Sequence, residues 1–522
     1  MFRTRADLLG DIVNSNPEYV GTADFGDKNL PGTEGSSYAA FVSGKSSRTP
    51  MLYVGANDGM MHAFNANTGI EVFDYVPRGV YPNLSALTDP DYAHEYYVDG
   101  SDIAVDAYIS GAWKTLLVGG SGAGAKEVFL MDVTDPATFS TTSVLWDYDG
   151  TTNGDADMGY SIPTPTIARM HDGDWYVIFG NGYNSTNQHA IIYMYNIRTK
   201  AILKFDTGVG SVGTPDGMSA PNPIDFDGDR IADAIYAGDL QGNVWKLDVS
   251  SANPSSWKYY VYGGSTPQPL FSATDANSNP QPITDRVQVG LNSSGQVMVY
   301  FGTGTYFETN DNTVGSNPPV MSAYGIIDDL GNKATDQAVR SNLLEQYVVA
   351  ISTVNGNNFR VTTAYSMSSG QQGWFIDLDY PSAQGERVVS DAVLDNGRII
   401  FTTLIPQGNA CQFGGVSWLM ELNSSTGGSL TSISPFDVNG DGKVNSNDYV
   451  TVSYTDPVSG KTVNATVPVG GIESNVGIIK TPGIVTSGSM QYKYSSGSTG
   501  SIMMTPESAP TSGGRISWQQ VQ

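Results

Sequence analysis

Short apolar runs that end in glycine recur along the chain. Each is followed by a loop and a second apolar run, most of which end in Asp or Asn. The first pair is Met51-Leu52-Tyr53-Val54-Gly55 and Met60-Met61-His62-Ala63-Phe64-Asn65, joined by Asn57-Asp58-Gly59. Asn, Asp and Gly tolerate the positive φ of tight turns, so the pair reads as a β-hairpin. The pattern returns as Leu116-Leu117-Val118-Gly119-Gly120 with Val128–Val133, as Val177-Ile178-Phe179-Gly180 with Ile191–Asn196, and as Ala234–Gly238 with Asn243–Asp248. Val299-Tyr300-Phe301-Gly302 opens a further copy, and 399–403 with 417–422 make a weaker one. Copies lie roughly forty to sixty residues apart, an irregular propeller-like period. A four-stranded blade buries its faces only against neighbouring blades, so the fold class is all-β, an irregular propeller of about six or seven blades. The terminal glycines are expected where backbones approach closely.

Other stretches break the rhythm. Residues 22–47, rich in Gly and Ser, read as disordered. Loop insertions are expected at 251–290 and 305–370. One helix is predicted over 336–346, capped by Thr335 or Asp336, with Ala338, Val339, Leu343 and Leu344 as its apolar stripe. His62 reads as a packed strand residue. Residues 1–430 are read as propeller blades. Residues 431–522 are read as a further loop segment, with strands at 450–454 and 462–467, that completes them.

Charge and composition narrow the function. The chain has 522 residues, with 52 acidic against 26 basic side chains and a formal net charge of −26. That excess argues against nucleic acid and against anionic membrane surfaces as partners. No apolar run is long enough to span a bilayer as a helix. Cys411 is the single cysteine, so no internal disulfide is possible, and it is expected to be buried and inert. The N-terminus carries no signal-peptide pattern and begins inside what reads as folded sequence, so a secretion signal and further domains are expected upstream.

Two loops carry the candidate chemistry. In Asp225-Phe226-Asp227-Gly228-Asp229-Arg230-Ile231-Ala232-Asp233, carboxylates stand at positions one, three, five and nine. Alternate carboxylates on a curled loop, with the Ile231 carbonyl at position seven, supply the oxygens a hard cation requires. Arg230 replaces the usual glycine at position six. In Asp437-Val438-Asn439-Gly440-Asp441-Gly442-Lys443-Val444-Asn445-Ser446-Asn447-Asp448, oxygens fall at Asp437, Asn439, Asp441, Asn445 and Asp448, with the Lys443 carbonyl at position seven and Gly442 at the sharp turn. Both loops are read as Ca2+ sites. His94, His171 and His189 have no metal-ligand spacing, and no Ser/His/Asp or Cys/His set is identifiable.

Several linked motifs resemble one family. They are Leu9-Gly10-Asp11-Ile12-Val13-Asn14-Ser15, Tyr97-Val98-Asp99-Gly100-Ser101, Trp113–Gly119, Met158-Gly159-Tyr160-Ser161, Phe179–Asn184, Tyr236–Lys246 and Gly514-Arg515-Ile516-Ser517-Trp518. In this order they resemble the C-terminal propeller domain of the PilC/PilY family of type IV pilus proteins. The resemblance implies a secreted, non-enzymatic pilus biogenesis factor and adhesin at the fimbrium or cell surface. Its implied partners are minor pilins and the pilus tip, with host or abiotic surfaces beyond. It implies that the chain promotes pilus extension or opposes retraction, supports attachment and twitching motility, and binds calcium in a propeller loop. The implied ligands are Asp225, Asp227, Asp229, Ile231 and Asp233, with Asp437, Asn439, Asp441, Lys443 and Asp448 as a second set. Some members carry an Arg-Gly-Asp tripeptide read by integrins; this sequence has none, so that role is not carried over.

Two alternatives remain. The blade repeats resemble those of quinoprotein dehydrogenases, but a single cysteine forbids the adjacent disulfide common there, and the acids lie in tight loops rather than around a cofactor. A carbohydrate-binding propeller would use the abundant tyrosines, which strand faces also account for.

Overall fold

The computed structural model describes residues 3–5, 7–408, 413–488 and 490–509. Cys411 and the motif at 514–518 lie outside the described residues. The chain divides into two compact units. One holds residues up to Leu240 together with Trp245–Tyr260; the other holds Gln241–Val244 and the chain from Val261 onward.

In the first unit the predicted hairpins grow into antiparallel sheets in simple up-and-down order. The first sheet is Glu18–Val20, Met51–Ala56, Met60–Asn65 and Glu71–Tyr75; the second is Ile103–Ile109, Ala112–Gly120, Glu127–Asp132 and Val144–Asp149. The third is Thr166–Arg169, Trp175–Gly180, His189–Asn196 and Ile202–Gly210. The strand Trp175–Gly180 is buried at every residue, as befits a strand covered on both faces. Val105, Leu116, Val128, Trp175, Val177 and Tyr193 share one apolar cluster. The glycines that end these strands mark close approach, as expected. A Cβ on Gly180 would stand 2.1 Å from the Ser219 carbonyl oxygen, and one on Gly55 would stand 2.5 Å from that of Val98. His62 is buried in its strand between Asp58 and Glu71.

The stretch read as disordered holds the α-helix Gly32–Gly44, the only α-helix among the described residues. Its composition is poor in helix formers, and tertiary contacts override that propensity. Trp113 Nε1 donates to the Glu34 carbonyl and to Ser37 Oγ, both at 3.1 Å. Tyr38 OH donates to Asp106 Oδ2 at 2.8 Å and accepts from the Phe25 amide at 2.9 Å. Just past the helix, the buried Lys45 Nζ donates to the Ala23 carbonyl at 2.8 Å and pairs with Asp106. Tyr38, Phe41, Val42 and Lys45, spaced three and four apart, were the available signal.

The fourth sheet begins with Asn222–Ile224 and Ala234–Gly238, antiparallel, with Ile224 opposite Ala234. The first acidic loop is the connection between these two strands, so its ends are pinned by strand pairing.

In the second unit, Gln288–Leu291, Val297–Gly302, Ser322–Asp328 and Gly373–Asp377 pair antiparallel, and Leu344–Gln346 adds in parallel to Gly373–Asp377. That last strand corrects the helix predicted over 336–346. Two short 3-10 turns, Ala334–Asp336 and Arg340–Asn342, precede it instead. Ala338, Leu343 and Leu344 are buried without a helix, while Val339 is exposed. The expected insertion over 305–370 is likewise corrected, since it contains Ser322–Asp328, Leu344–Gln346, Val348–Val354 and Asn357–Thr362. The next sheet runs Val348–Val354, Asn357–Thr362, Gly471–Glu473, Gly415–Asn423, Arg398–Pro406 and Val393–Asp395.

A three-stranded sheet, Gly483–Ser487, Met490–Ser496 and Ile502–Ser508, reverses the usual polarity. Its outward positions include Val485, Tyr494, Ile502 and Met504, all exposed. Its inward positions include Gln491, Lys493, Thr505 and Glu507, all buried. Lys493 Nζ bridges Glu421, at 2.8 Å, and Glu507, and Arg398 joins Glu421 at 2.6 Å.

Candidate metal centre

The first loop coils around its own carboxylates. Asp225 Oδ1 accepts the amides of Asp227 at 3.1 Å and Gly228 at 2.7 Å, and its Oδ2 accepts that of Arg230 at 2.7 Å. Asp227 Oδ1 accepts the Asp229 amide at 3.2 Å, and Asp229 Oδ1 accepts the Ile231 amide at 2.8 Å. Asp233 Oδ2 closes the loop on the Phe226 amide at 2.8 Å.

The second loop repeats this pattern. Asp437 Oδ1 accepts from Gly440 at 2.8 Å and Oδ2 from Gly442 at 2.8 Å; Asn439 accepts from Asp441 at 2.8 Å and Asp441 from Lys443 at 2.9 Å. Asp448 Oδ1 closes it on the Val438 amide at 2.9 Å. In both loops, position one therefore takes the amides of positions four and six, and the closing acid takes that of position two. That acid is at position nine in one loop and twelve in the other.

Of the predicted ligands, Asp225, Asp227 and Asp229 are brought together, with one carboxylate oxygen of each within 4.8 Å of the others. No other three His, Cys, Asp or Glu side chains meet that spacing among the described residues. Burial, followed by the charges of Asp227 and Asp225, raises the Asp229 pKa against the lowering effect of the Ile231 amide. Such a cluster is an all-oxygen donor set for a hard cation, whose charge would relieve the mutual repulsion. Asp233 stands apart from the cluster, with its Oδ1 2.9 Å from His171 Nε2. The Ile231 side chain is buried in the apolar core. In the second loop, Asp448 is fully buried, and its Oδ2 takes the Asn445 amide at 2.7 Å.

Sequence reasoning missed what Arg230 does. Its guanidinium leaves the loop, donating to the Phe25 carbonyl and, at 3.3 Å, to Asp27 Oδ1. Asp27 lies 203 residues away in sequence, so no local pattern pointed to it.

Elsewhere in the first unit two carboxyls, Asp216 and Glu127, are buried beside a second carboxyl. Asp216 and Asp239 are neighbours, and Asp216 Oδ2 meets no protein donor among the described residues. Burial and the adjacent Asp239 charge push Asp216 up to about 9. Burial, helped by Asp147, pushes Glu127 up to about 8. Each pair holds a proton at neutral pH.

This chain is a β-propeller of the PilY1 family: residues 9–358 match the PilY1 beta-propeller domain. It is 33% identical to the type IV pilus biogenesis factor PilY1 of Pseudomonas aeruginosa PAO1 across all of its own length and 46% of that protein. It is also 37% identical to a PilY1 homologue of Xylella fastidiosa over 82% of this chain and 30% of that one. The chain thus spans less than half the length of these curated relatives. The crystal structure of the P. aeruginosa PilY1 C-terminal domain overlays with a TM-score of 0.75 at 30% identity, covering 94% of this chain and 99% of that one. The fold is a seven-bladed β-propeller, within the range of blade counts read from the sequence. No helix among the described residues is long and apolar enough to cross a membrane.

Proposed function

We propose that the chain is the calcium-binding module of a secreted, non-enzymatic type IV pilus biogenesis factor. It works at the pilus tip with minor pilins, promotes extension or opposes retraction, and supports twitching motility and attachment to host or abiotic surfaces. The observation that carries this reading is the cluster of Asp225, Asp227 and Asp229 in a chain of this family. Asp225, Asp227, Asp229 and the Ile231 carbonyl hold the ion, with Asp233 closing the loop. Asp437, Asn439, Asp441 and the Lys443 carbonyl form the second site, closed by Asp448. The shared hydrogen-bond pattern supports treating the two loops as one kind of site. The bound cation supplies charge neutralisation, and so favours the conformation in which the loop and its flanking strands are ordered. The segment from residue 431 onward completes the propeller, as the pairing of Gly471–Glu473 with Gly415–Asn423 suggests.

Calcium titration by isothermal calorimetry on the metal-stripped chain tests the reading. Two binding events are expected, falling to one in Asp225→Ala. Absence of binding at millimolar calcium would refute it.

A further inference from the structure

Position six of the first loop is occupied by a residue that pays a conformational cost to be there. Arg230 has φ +74°, matching Gly442 at φ +78° in the second loop. A side chain in that region is disfavoured by roughly 1 kcal/mol or more and persists where surrounding contacts hold it. Here the contacts are those of the guanidinium. It reaches the Phe25 carbonyl and Asp27, on the segment that leads into the helix Gly32–Gly44. Gly26, between these two partners, leaves room for it: a Cβ there would stand 3.3 Å from Arg230 Nη2.

That segment is itself tied down. The Phe25 amide is held by Tyr38 of the helix, and Tyr38 shares Asp106 with Lys45 at the helix end. A second connection leaves the loop two residues on. The Ala232 amide donates to the Arg169 carbonyl at 2.9 Å, and the Arg169 guanidinium grips Glu34 of the helix at 2.9 Å. The helix has weak intrinsic propensity, so its order depends on such contacts.

We propose that Arg230 is a positioning residue that couples the cation loop to the 23–45 helical segment, so that calcium bound at Asp225, Asp227 and Asp229 orders the helix as well as the loop. This rests on the calcium reading given above. Order in the loop fixes the backbone from which the Arg230 side chain projects, and the side chain transmits it to Phe25 and Asp27. The second loop, with Gly442 at the same place, has no equivalent arm.

Hydrogen exchange by mass spectrometry, with and without saturating calcium, tests the coupling in the wild-type chain and in Arg230→Gly. Glycine suits the φ of this position, so the variant removes the arm without opposing the turn. In the wild type, calcium is expected to slow exchange both at 225–233 and at 23–45. In Arg230→Gly the slowing at 225–233 remains, while that at 23–45 falls to less than half. Undiminished slowing at 23–45 in the variant, or slowing confined to 225–233 in the wild type, overturns the coupling and leaves the calcium site standing. No slowing at either place in the wild type overturns both. If Arg230→Gly fails to fold, Arg230→Lys, which keeps the charge but loses the fork, is read by the same criteria.

Discussion

Replacing Asp216 with asparagine should remove a steep pH dependence from the stability of the protein. Asp216 is fully buried beside Asp239, and burial with that neighbouring charge raises its pKa to about 9. In the unfolded chain an aspartate titrates near 3.9. Between those values the native state binds one more proton than the unfolded state. The stabilising proton is fully present at low pH, and its contribution declines as pH rises toward the folded pKa. The slope is about 1.4 kcal/mol per pH unit per proton, so from pH 5 to pH 7 this one group removes about 3 kcal/mol. The figure does not depend on the exact folded pKa, provided that it stays above the window. Asparagine preserves the geometry. Its Oδ1 can keep the amides of Gly217 at 2.8 Å and Leu240 at 3.0 Å, and its Nδ2 can donate where the shared proton sat. Urea unfolding of the metal-stripped wild type and Asp216→Asn at pH 5 and pH 7 measures the difference. Glu127 and the other raised carboxyls act equally in both proteins and cancel. The wild type should lose about 3 kcal/mol more than the variant over this interval. Equal losses would mean that Asp216 is ionised in the fold and that the shared-proton account is wrong.

Two further outcomes are expected besides the calorimetry and exchange experiments. Arg360 and Glu386 form a bidentate ion pair with both contacts at 2.6 Å and almost no exposure, so Glu386→Gln should cost about 3–5 kcal/mol in urea unfolding by leaving a buried cation unpaired. Gly180→Ala places a methyl group 2.1 Å from the Ser219 carbonyl and should cost about 3 kcal/mol, seen as a lowered melting temperature; an unchanged melting temperature would mean that the backbones are not in close contact.

Most of the β-architecture was legible because its determinants are local. Alternation, strand-end glycines and turn residues located the hairpin Met51–Ala56 with Met60–Asn65 and its successors, and ligand spacing located both acidic loops. The helix Gly32–Gly44 was not legible, since what makes it a helix is Trp113, Asp106 and Arg169 from other strands. Residues 336–346 failed the other way. The apolar spacing of Ala338, Val339, Leu343 and Leu344 fits a helix, and only the distant partner Gly373–Asp377 makes 344–346 a strand. At the candidate metal centre, the cluster of Asp225, Asp227 and Asp229 could be read from the sequence. Arg230 could be read only as a missing glycine, because its partners Phe25 and Asp27 are brought near by the fold.

The sheet with inverted polarity bears on how the chain finds its native state. A one-residue slip in a strand exchanges its two faces. Slipping Met490–Ser496 would turn Tyr492 and Tyr494 inward and expel Lys493, an exchange that apolar burial by itself favours. The ion group of Lys493, Glu421, Glu507 and Arg398 opposes that slip, so charge rather than oil sets the register. This is local frustration, in which two driving forces recommend different pairings and one must overrule the other. Replacing Glu421 and Glu507 with glutamine removes the overruling force and makes this sheet the place where misregistered chains accumulate.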